Sequence, residues 1–187
     1  KIMFYSLFIL AITVTTVLCV NTIDKSVKGF YCGTTQKNLS CLKNTSDYVI
    51  PVNSKCYSPQ CPSNKMHWEV RFNFCQPIQK KFNPPNYCQD QAACQIWSGK
   101  PPYNSAGLGN WTTTEFLPMP NSNDVLFRAT AGTPVPSMGN TQRQMEIHIS
   151  CPDSFNDDPF PIFVRETNLV YYFTFRHHAV CGTHGGC

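Results

Sequence analysis

Ten cysteines lie beyond residue 31 in this chain, and they constrain its folding more than any other feature. An even and dense set of this kind reads as a disulfide framework, which forms and persists mainly in oxidising compartments. The eleventh cysteine, Cys19, sits near the end of an almost unbroken apolar run from Ile2 to Val20, behind Lys1. That run, with its Val17-Leu18-Cys19 ending, reads as a signal peptide over residues 1–20. Its length approaches what a bilayer span needs, so the alternative is a retained signal anchor. Either way, the chain beyond it faces the secretory lumen or the cell exterior. Three Asn-X-Ser/Thr sequons, at Asn38, Asn44 and Asn110, agree with that placement.

Fifteen prolines and little helical periodicity point to an all-β domain with many loops. The length beyond the leader suits one core, preceded by a Cys-rich appendage over residues 21–46, with the main domain over 47–187. Asp47 to Val52 reads as a short strand. Between His67 and Cys75, Trp68, Val70, Phe72 and Phe74 alternate with His67, Glu69, Arg71 and Asn73, the pattern of a half-buried strand with Asn73 on its polar side. The Cys88-x5-Cys94 spacing closes a small loop before Gln95-Ile96-Trp97; Asn110 to Thr114 and Asp124 to Thr130 read as further strands, with a turn at Gly107-Leu108-Gly109. Met145, Ile147 and Ile149 share one side of a strand over residues 143–151. Residues 165–181 are the longest β-like stretch, strongest from Leu169 to Phe175. There Tyr171, Phe173 and Phe175 share a core face, and Tyr172, Thr174 and Arg176 the other. Many short alternating strands between turns indicate a disulfide-rich β-sandwich or flattened barrel of two antiparallel sheets.

The formal charge of +4 is spread out, with no Lys/Arg run of the kind that marks nucleic-acid or lipid binding. Catalytic signatures are also absent: there is no Gly-x-Ser-x-Gly, His-Glu-x-x-His, phosphate loop or Cys-x-x-Cys. The tail His177-His178-x2-Cys181-x2-His184-x2-Cys187 has spacing a zinc ion could use. Disulfide use of Cys181 is the competing and preferred reading, so no metal or cofactor is expected. Asp153, Asp157 and Asp158 cluster among prolines, as a solvated loop does.

Several of these pieces occur together in a known family. Phe72-Asn73-Phe74-Cys75, Ala92-Ala93-Cys94-Gln95, Leu108-Gly109, Arg143 eight residues before Cys151, Glu166 five before Tyr171, and Tyr171-x-Phe173-x-Phe175 leading to Cys181 resemble a mannose 6-phosphate receptor homology (MRH) domain. The likeness is nearest to the repeats of the cation-independent receptor and runs from about Asp47 to Cys181. It implies a flattened β-barrel of two sheets that binds terminal mannose through Gln95, Arg143, Glu166 and Tyr171. Those residue types suit the task. A mannose ring offers hydroxyls that both donate and accept, which an Arg fork, a Gln amide, a carboxylate and a phenol can satisfy together. The resemblance also implies bridges Cys88–Cys94 and Cys151–Cys181, and a Cys75 bridge to Cys41 or Cys61. Cys151–Cys181 would tie the Arg143 strand to the Tyr171 strand and fix pocket and fold together. The remaining connectivity among Cys32, Cys41, Cys56, Cys61, Cys75 and Cys187 stays open.

Two departures stand out. Many members carry a Cys shortly before the site Tyr and its partner before the site Arg; here Leu169-Val170 and residues 129–138 hold none. Phe175 and His177 stand where the family often has Trp and Thr. The expected role is a secretory-pathway or extracellular lectin for mannose-bearing N-glycans, without turnover. Membrane contact is expected only if the leader is retained or the chain continues beyond Cys187. The alternative is a structural Cys-rich interaction module in which the four polar residues merely pack.

Overall fold

The structure, a computed structural model, describes residues 32–34, 37–52, 68–79, 88–97, 105–154 and 161–182. Its eleven described strands are β1 (Tyr48–Val52), β2 (Trp68–Phe72), β3 (Gln91–Trp97), β4 (Ser105–Asn110), β5 (Thr114–Pro118), β6 (Val125–Ala129), β7 (Pro134–Val135), β8 (Thr141–Gln142), β9 (Gln144–Ser150), β10 (Ile162–Thr167) and β11 (Val170–Arg176). One sheet runs β1-β2-β3-β4 and a second runs β10-β11-β9-β6-β5, while β7 and β8 form a small separate hairpin. The sandwich is therefore all-β, but its second sheet is mixed. β11 pairs with β9 in parallel, Tyr171 beside Met145 and Phe175 beside Ile149. An all-antiparallel sheet was expected because side chains alternate with period two in both kinds of ladder, so the pattern is blind to strand direction.

That alternation does place the core. Val125, Phe127 and Ala129 on β6, Met145, Ile147 and Ile149 on β9, and Tyr171, Phe173 and Phe175 on β11 are buried. They meet Val70, Phe72 and Phe74 across the sandwich. Phe74 is the hub: its ring meets Phe127 edge-on at 5.0 Å and stacks on Phe175 at 5.8 Å. On the second sheet's outer face Arg128 bridges Glu146 at 2.8 Å and Glu115 at 3.3 Å. Surface pairs of this kind add little stability; they keep that face wet.

The described part of the N-terminal segment expected as an appendage, from Cys32 onward, contributes to the core. Leu39 and Leu42 are fully buried in the same cluster as Phe74. Lys37, also buried, donates through Nζ to the carbonyls of Asn123 at 2.7 Å and Val180 at 2.5 Å. The local reason is a tight reversal, with Gly33 bridged to Asn38 and Leu39 N–H donating to Cys32 O. This reversal sets Cys32 against Cys75, and these two form a disulfide (Cα–Cα 5.4 Å) in place of the expected Cys41 or Cys61 partner. Cys41 is also disulfide-bonded. Cys88–Cys94 and Cys151–Cys181 are both present. The leader, Cys56, Cys61, His67, Asp157, Asp158, His184 and Cys187 lie outside the described residues. No helix among the described residues is long and apolar enough to cross a membrane.

Three local readings change. Gly107-Leu108-Gly109 is strand rather than turn, and the turn falls later, as a 3-10 turn over Trp111–Thr113 capped by the Asn110 side chain. Gly109 lies where a β-carbon would collide with Ala129 of the opposite sheet, so glycine there marks close packing. Residues 165–181 are a hairpin and not one strand: Asn168 and Leu169 both have positive φ, 51° and 65°, as a two-residue reversal between β10 and β11 requires. Asn tolerates that conformation; Leu does so only because its surroundings fix it. Leu169 is buried, and its carbonyl accepts from Gln144 N–H at 2.9 Å.

Asn73 is the third. β2 stops at Phe72, and the Asn73 side chain, read as solvent-facing, is buried and works as a backbone surrogate. Its Nδ2 donates to Asn44 O at 3.1 Å and Ser46 O at 3.3 Å, while its Oδ1 accepts from Asn44 N–H at 3.2 Å. Replacing Asn73 by Leu strands these groups, so the expected loss is about 1–3 kcal/mol. Equilibrium denaturation measures it; an unchanged midpoint would show that the Asn44 backbone finds other partners.

Candidate functional site

The four candidate residues come from four places in the chain and meet at one end of the sandwich. β10 and β11 set Glu166 directly opposite Tyr171, so both side chains project from the same face of the sheet. β9 puts Met145 beside Tyr171, and Arg143, two residues earlier, leads into that strand. Gln95 belongs to the other sheet, paired with Val70 of β2 and Ala106 of β4. The Tyr171 hydroxyl closes the gap between sheets, donating to Gln95 Oε1 at 3.0 Å. Trp68 packs edge-on against both Phe163 at 5.5 Å and Tyr171 at 6.4 Å, which fixes the phenol's ring from below.

The hydrogen-bond balance of this group is incomplete. Tyr171 also interacts with Arg143 and with the Glu166 carboxylate. Its hydroxyl has a single proton and two acceptors in reach, so one acceptor remains for another donor. Arg143 donates from Nη1 to Thr133 O at 3.0 Å, yet its Nε is buried without a partner among the described residues. A buried donor left unpaired is costly in a fold that has no use for it.

Charge in the site is tuned by its surroundings. Burial raises the Glu166 pKa above the ordinary 4.5, against the nearby Tyr171 hydroxyl and the Arg143 charge, which both lower it. Desolvation therefore prevails over the arginine. The residue is nonetheless solvent-exposed, although protein crowds its carboxyl. Water screens a carboxyl this exposed, so its raised pKa sets the direction of the site's pH dependence. Tyr171, almost fully buried, has its pKa raised by desolvation first and by the Glu166 charge second. It is a neutral phenol throughout the physiological range.

Other sequence candidates fall elsewhere. His177 accepts from Ala179 N–H at 3.1 Å and caps the 3-10 turn over His178–Val180, which accounts for a histidine at that position. Asp153 pairs with Arg176 at 2.8 Å. Among the described residues no group of three or more His, Cys, Asp or Glu is placed to hold a metal. Of the sequons, Asn38 is exposed, while Asn44 and Asn110 are half-buried. Cys151–Cys181 joins the ends of β9 and β11 remote from Arg143 and Tyr171, roughly 25 Å along β9 at strand rise. It ties these strands together but does not frame the pocket. Thr133 and Trp68, which back the site, carried no signal: one sits in a Gly-Thr-Pro loop, the other looks like any core-facing aromatic.

No family model and no curated protein sequence matches the chain. Solved structures do match. Domain 11 of chicken IGF2R superposes with a TM-score of 0.53 at 16% identity, covering 76% of this chain and 81% of that one. Domain 11 of the echidna mannose 6-phosphate/IGF2R receptor gives 0.47 at 14%, covering 74% and 81%. The MRH domain of Yos9, solved in complex with α3,α6-Man5, gives 0.40 at 14%, covering 63% and 74%. At such identities the likeness is one of fold, and the chicken domain carries it: this chain has an MRH-like fold.

Proposed function

We propose that this domain is a lectin for terminal mannose on N-glycans, serving glycoprotein recognition or sorting in the secretory pathway or outside the cell. The observation that carries the reading is the convergence of Gln95, Arg143 and Glu166, from both sheets, on the Tyr171 side chain, with the buried Nε of Arg143 left without a partner among the described residues. In this reading Glu166 accepts from two ring hydroxyls. Arg143 Nε and the Gln95 amide nitrogen donate, and Tyr171 holds Gln95 in orientation. A single carboxylate with an arginine and a phenol for neighbours fits binding better than hydrolysis, which calls for a second carboxylate across the sugar. The described disulfides fit an oxidising lumen.

A few hydroxyl hydrogen bonds at about 0.5–1.5 kcal/mol each give dissociation constants of roughly millimolar to micromolar per site. Tight capture then calls for multivalent display. A glycan array bearing mannose, mannose 6-phosphate and trimmed high-mannose arms tests the proposal, with methyl α-mannoside titration as its solution counterpart. Folded protein that retains no mannose-type glycan would leave the four residues a packing role only.

Acid should release the sugar. The ionised Glu166 is the binding form, and its raised pKa means protonation begins at higher pH than for an ordinary glutamate. Affinity is full above that value and falls as pH drops through it. The same raised pKa acts on stability in the opposite sense: the folded state holds this proton more tightly than the unfolded chain, so Glu166 favours folding more as pH falls. Loss of mannoside binding while the near-UV spectrum stays native is the expected result. Affinity flat from about pH 7 to pH 4 would remove Glu166 from the site.

A further inference from the structure

We propose that Thr133 is a positioning residue for Arg143, aiming the guanidinium by clamping the loop before β9 onto the opposite sheet; this rests on the sugar-binding reading. The bonds run in both directions. Thr133 N–H donates to Gly107 O at 2.8 Å, and Gly107 N–H donates to Thr133 Oγ1, also at 2.8 Å. On its other side the Thr133 carbonyl accepts from Arg143 twice, from the backbone N–H at 3.4 Å and from Nη1 at 3.0 Å. Gly132 N–H donates to Arg143 O at 2.9 Å.

One residue thus links β4 to the arginine. β4 is also the strand that pairs with β3 next to Gln95, through Ala106. The clamp therefore fixes the Arg143 side chain relative to Gln95 across the gap between sheets, where no strand ladder does so. Gly132 makes the approach possible. A β-carbon there would stand 2.5 Å from Gly107 O and 2.6 Å from Arg143 O, so any side chain would push the clamp open. With Nη1 bonded to Thr133 O, the clamp sets the direction of the rest of the guanidinium fork, the unpartnered Nε included. A pocket needs its donors held to within a fraction of an ångström, which a mobile arginine on a loop does not achieve unaided.

The test uses Thr133→Val, which keeps shape but removes the hydroxyl acceptor, and Thr133→Ser, which keeps the hydroxyl. Two readouts are needed: the methyl α-mannoside dissociation constant, and the Arg143 Nε–H nuclear magnetic resonance signal, assigned by its loss in Arg143→Lys. Thr133→Val should weaken mannoside binding about tenfold and shift or broaden the Nε–H signal, whereas Thr133→Ser should match the parent in both. An unmoved Nε–H signal in Thr133→Val overturns the proposal. So does a displaced signal in Thr133→Ser, a result that stands whether or not the valine variant folds. If the parent itself binds no mannoside, the sugar reading fails, while the Nε–H comparison still decides whether Thr133 aims the arginine.

Discussion

Replacing Glu166 by glutamine should abolish mannose binding and leave the fold intact. Glutamine keeps the volume but exchanges one acceptor oxygen for an amide that donates, and it removes the charge that faces Arg143 and Tyr171. A sugar hydroxyl that had donated to that oxygen then meets another donor. Two hydrogen bonds to a charged group, at about 1.5–3 kcal/mol each, correspond to a loss of at least one hundredfold. The fold should change little, because Glu166 is exposed on an edge strand and glutamine keeps its volume. Arg143→Lys should lose binding as well, since an ammonium cannot bond Thr133 O and also direct a second donor into the site as the planar fork does. Mannoside titration alongside thermal melting decides the matter. A Glu166→Gln domain that binds as the parent does would reduce the resemblance to one of fold without a sugar pocket.

The parts of this molecule that were legible in the chain are those whose physical signals are local. Burial in a two-layer sandwich enforces period two, so the inward set of β2, β9 and β11 could be read residue by residue, and Tyr171, Phe173 and Phe175 are all buried. Strand direction leaves no such trace, and the parallel β9–β11 pair was invisible. Asn73 looked like one more outward polar residue; its burial depends on β2 ending at Phe72 and on the Asn44 backbone passing nearby. Cys32 could not be matched with Cys75, because the pairing is set by the reversal at Gly33, and a lone glycine signals a turn without saying what the turn brings together.

The four candidate residues were legible only jointly, by spacing against a family pattern. Each alone has an ordinary packing role, and the contacts that join them span 76 residues between Gln95 and Tyr171. The competition at Glu166 between burial and Arg143 was visible as a question in the sequence, but its outcome depends on how the protein surrounds the carboxyl. Thr133 was out of reach for a related reason: its hydroxyl is one half of a clamp whose other half, and whose hold on Arg143, run through backbone atoms that every residue has.

The Cys151–Cys181 bridge separates stability from function in a way the chain order concealed. Arg143 precedes Cys151 and Tyr171 precedes Cys181, which suggested a bridge beside the pocket, yet β9 and β11 are parallel and carry both cysteines to the far end. There the native geometry has other support: Arg176 pairs with Ser150, and His177 N–H donates to Ser150 O at 2.9 Å. Removing the bridge should therefore act mainly on the unfolded chain, which regains the entropy of an open loop. For a separation of 30 residues that is worth about 3–4 kcal/mol in the chain-entropy model, a large share of an ordinary domain's stability. The paired variant Cys151→Ala/Cys181→Ala should lose that amount in equilibrium denaturation, while its folded fraction binds methyl α-mannoside with parental affinity. A drop in affinity without a matching drop in stability would mean that strain at this end of β9 reaches Arg143 through the strand itself, and the two ends of the sandwich would then have to be treated as one mechanical unit.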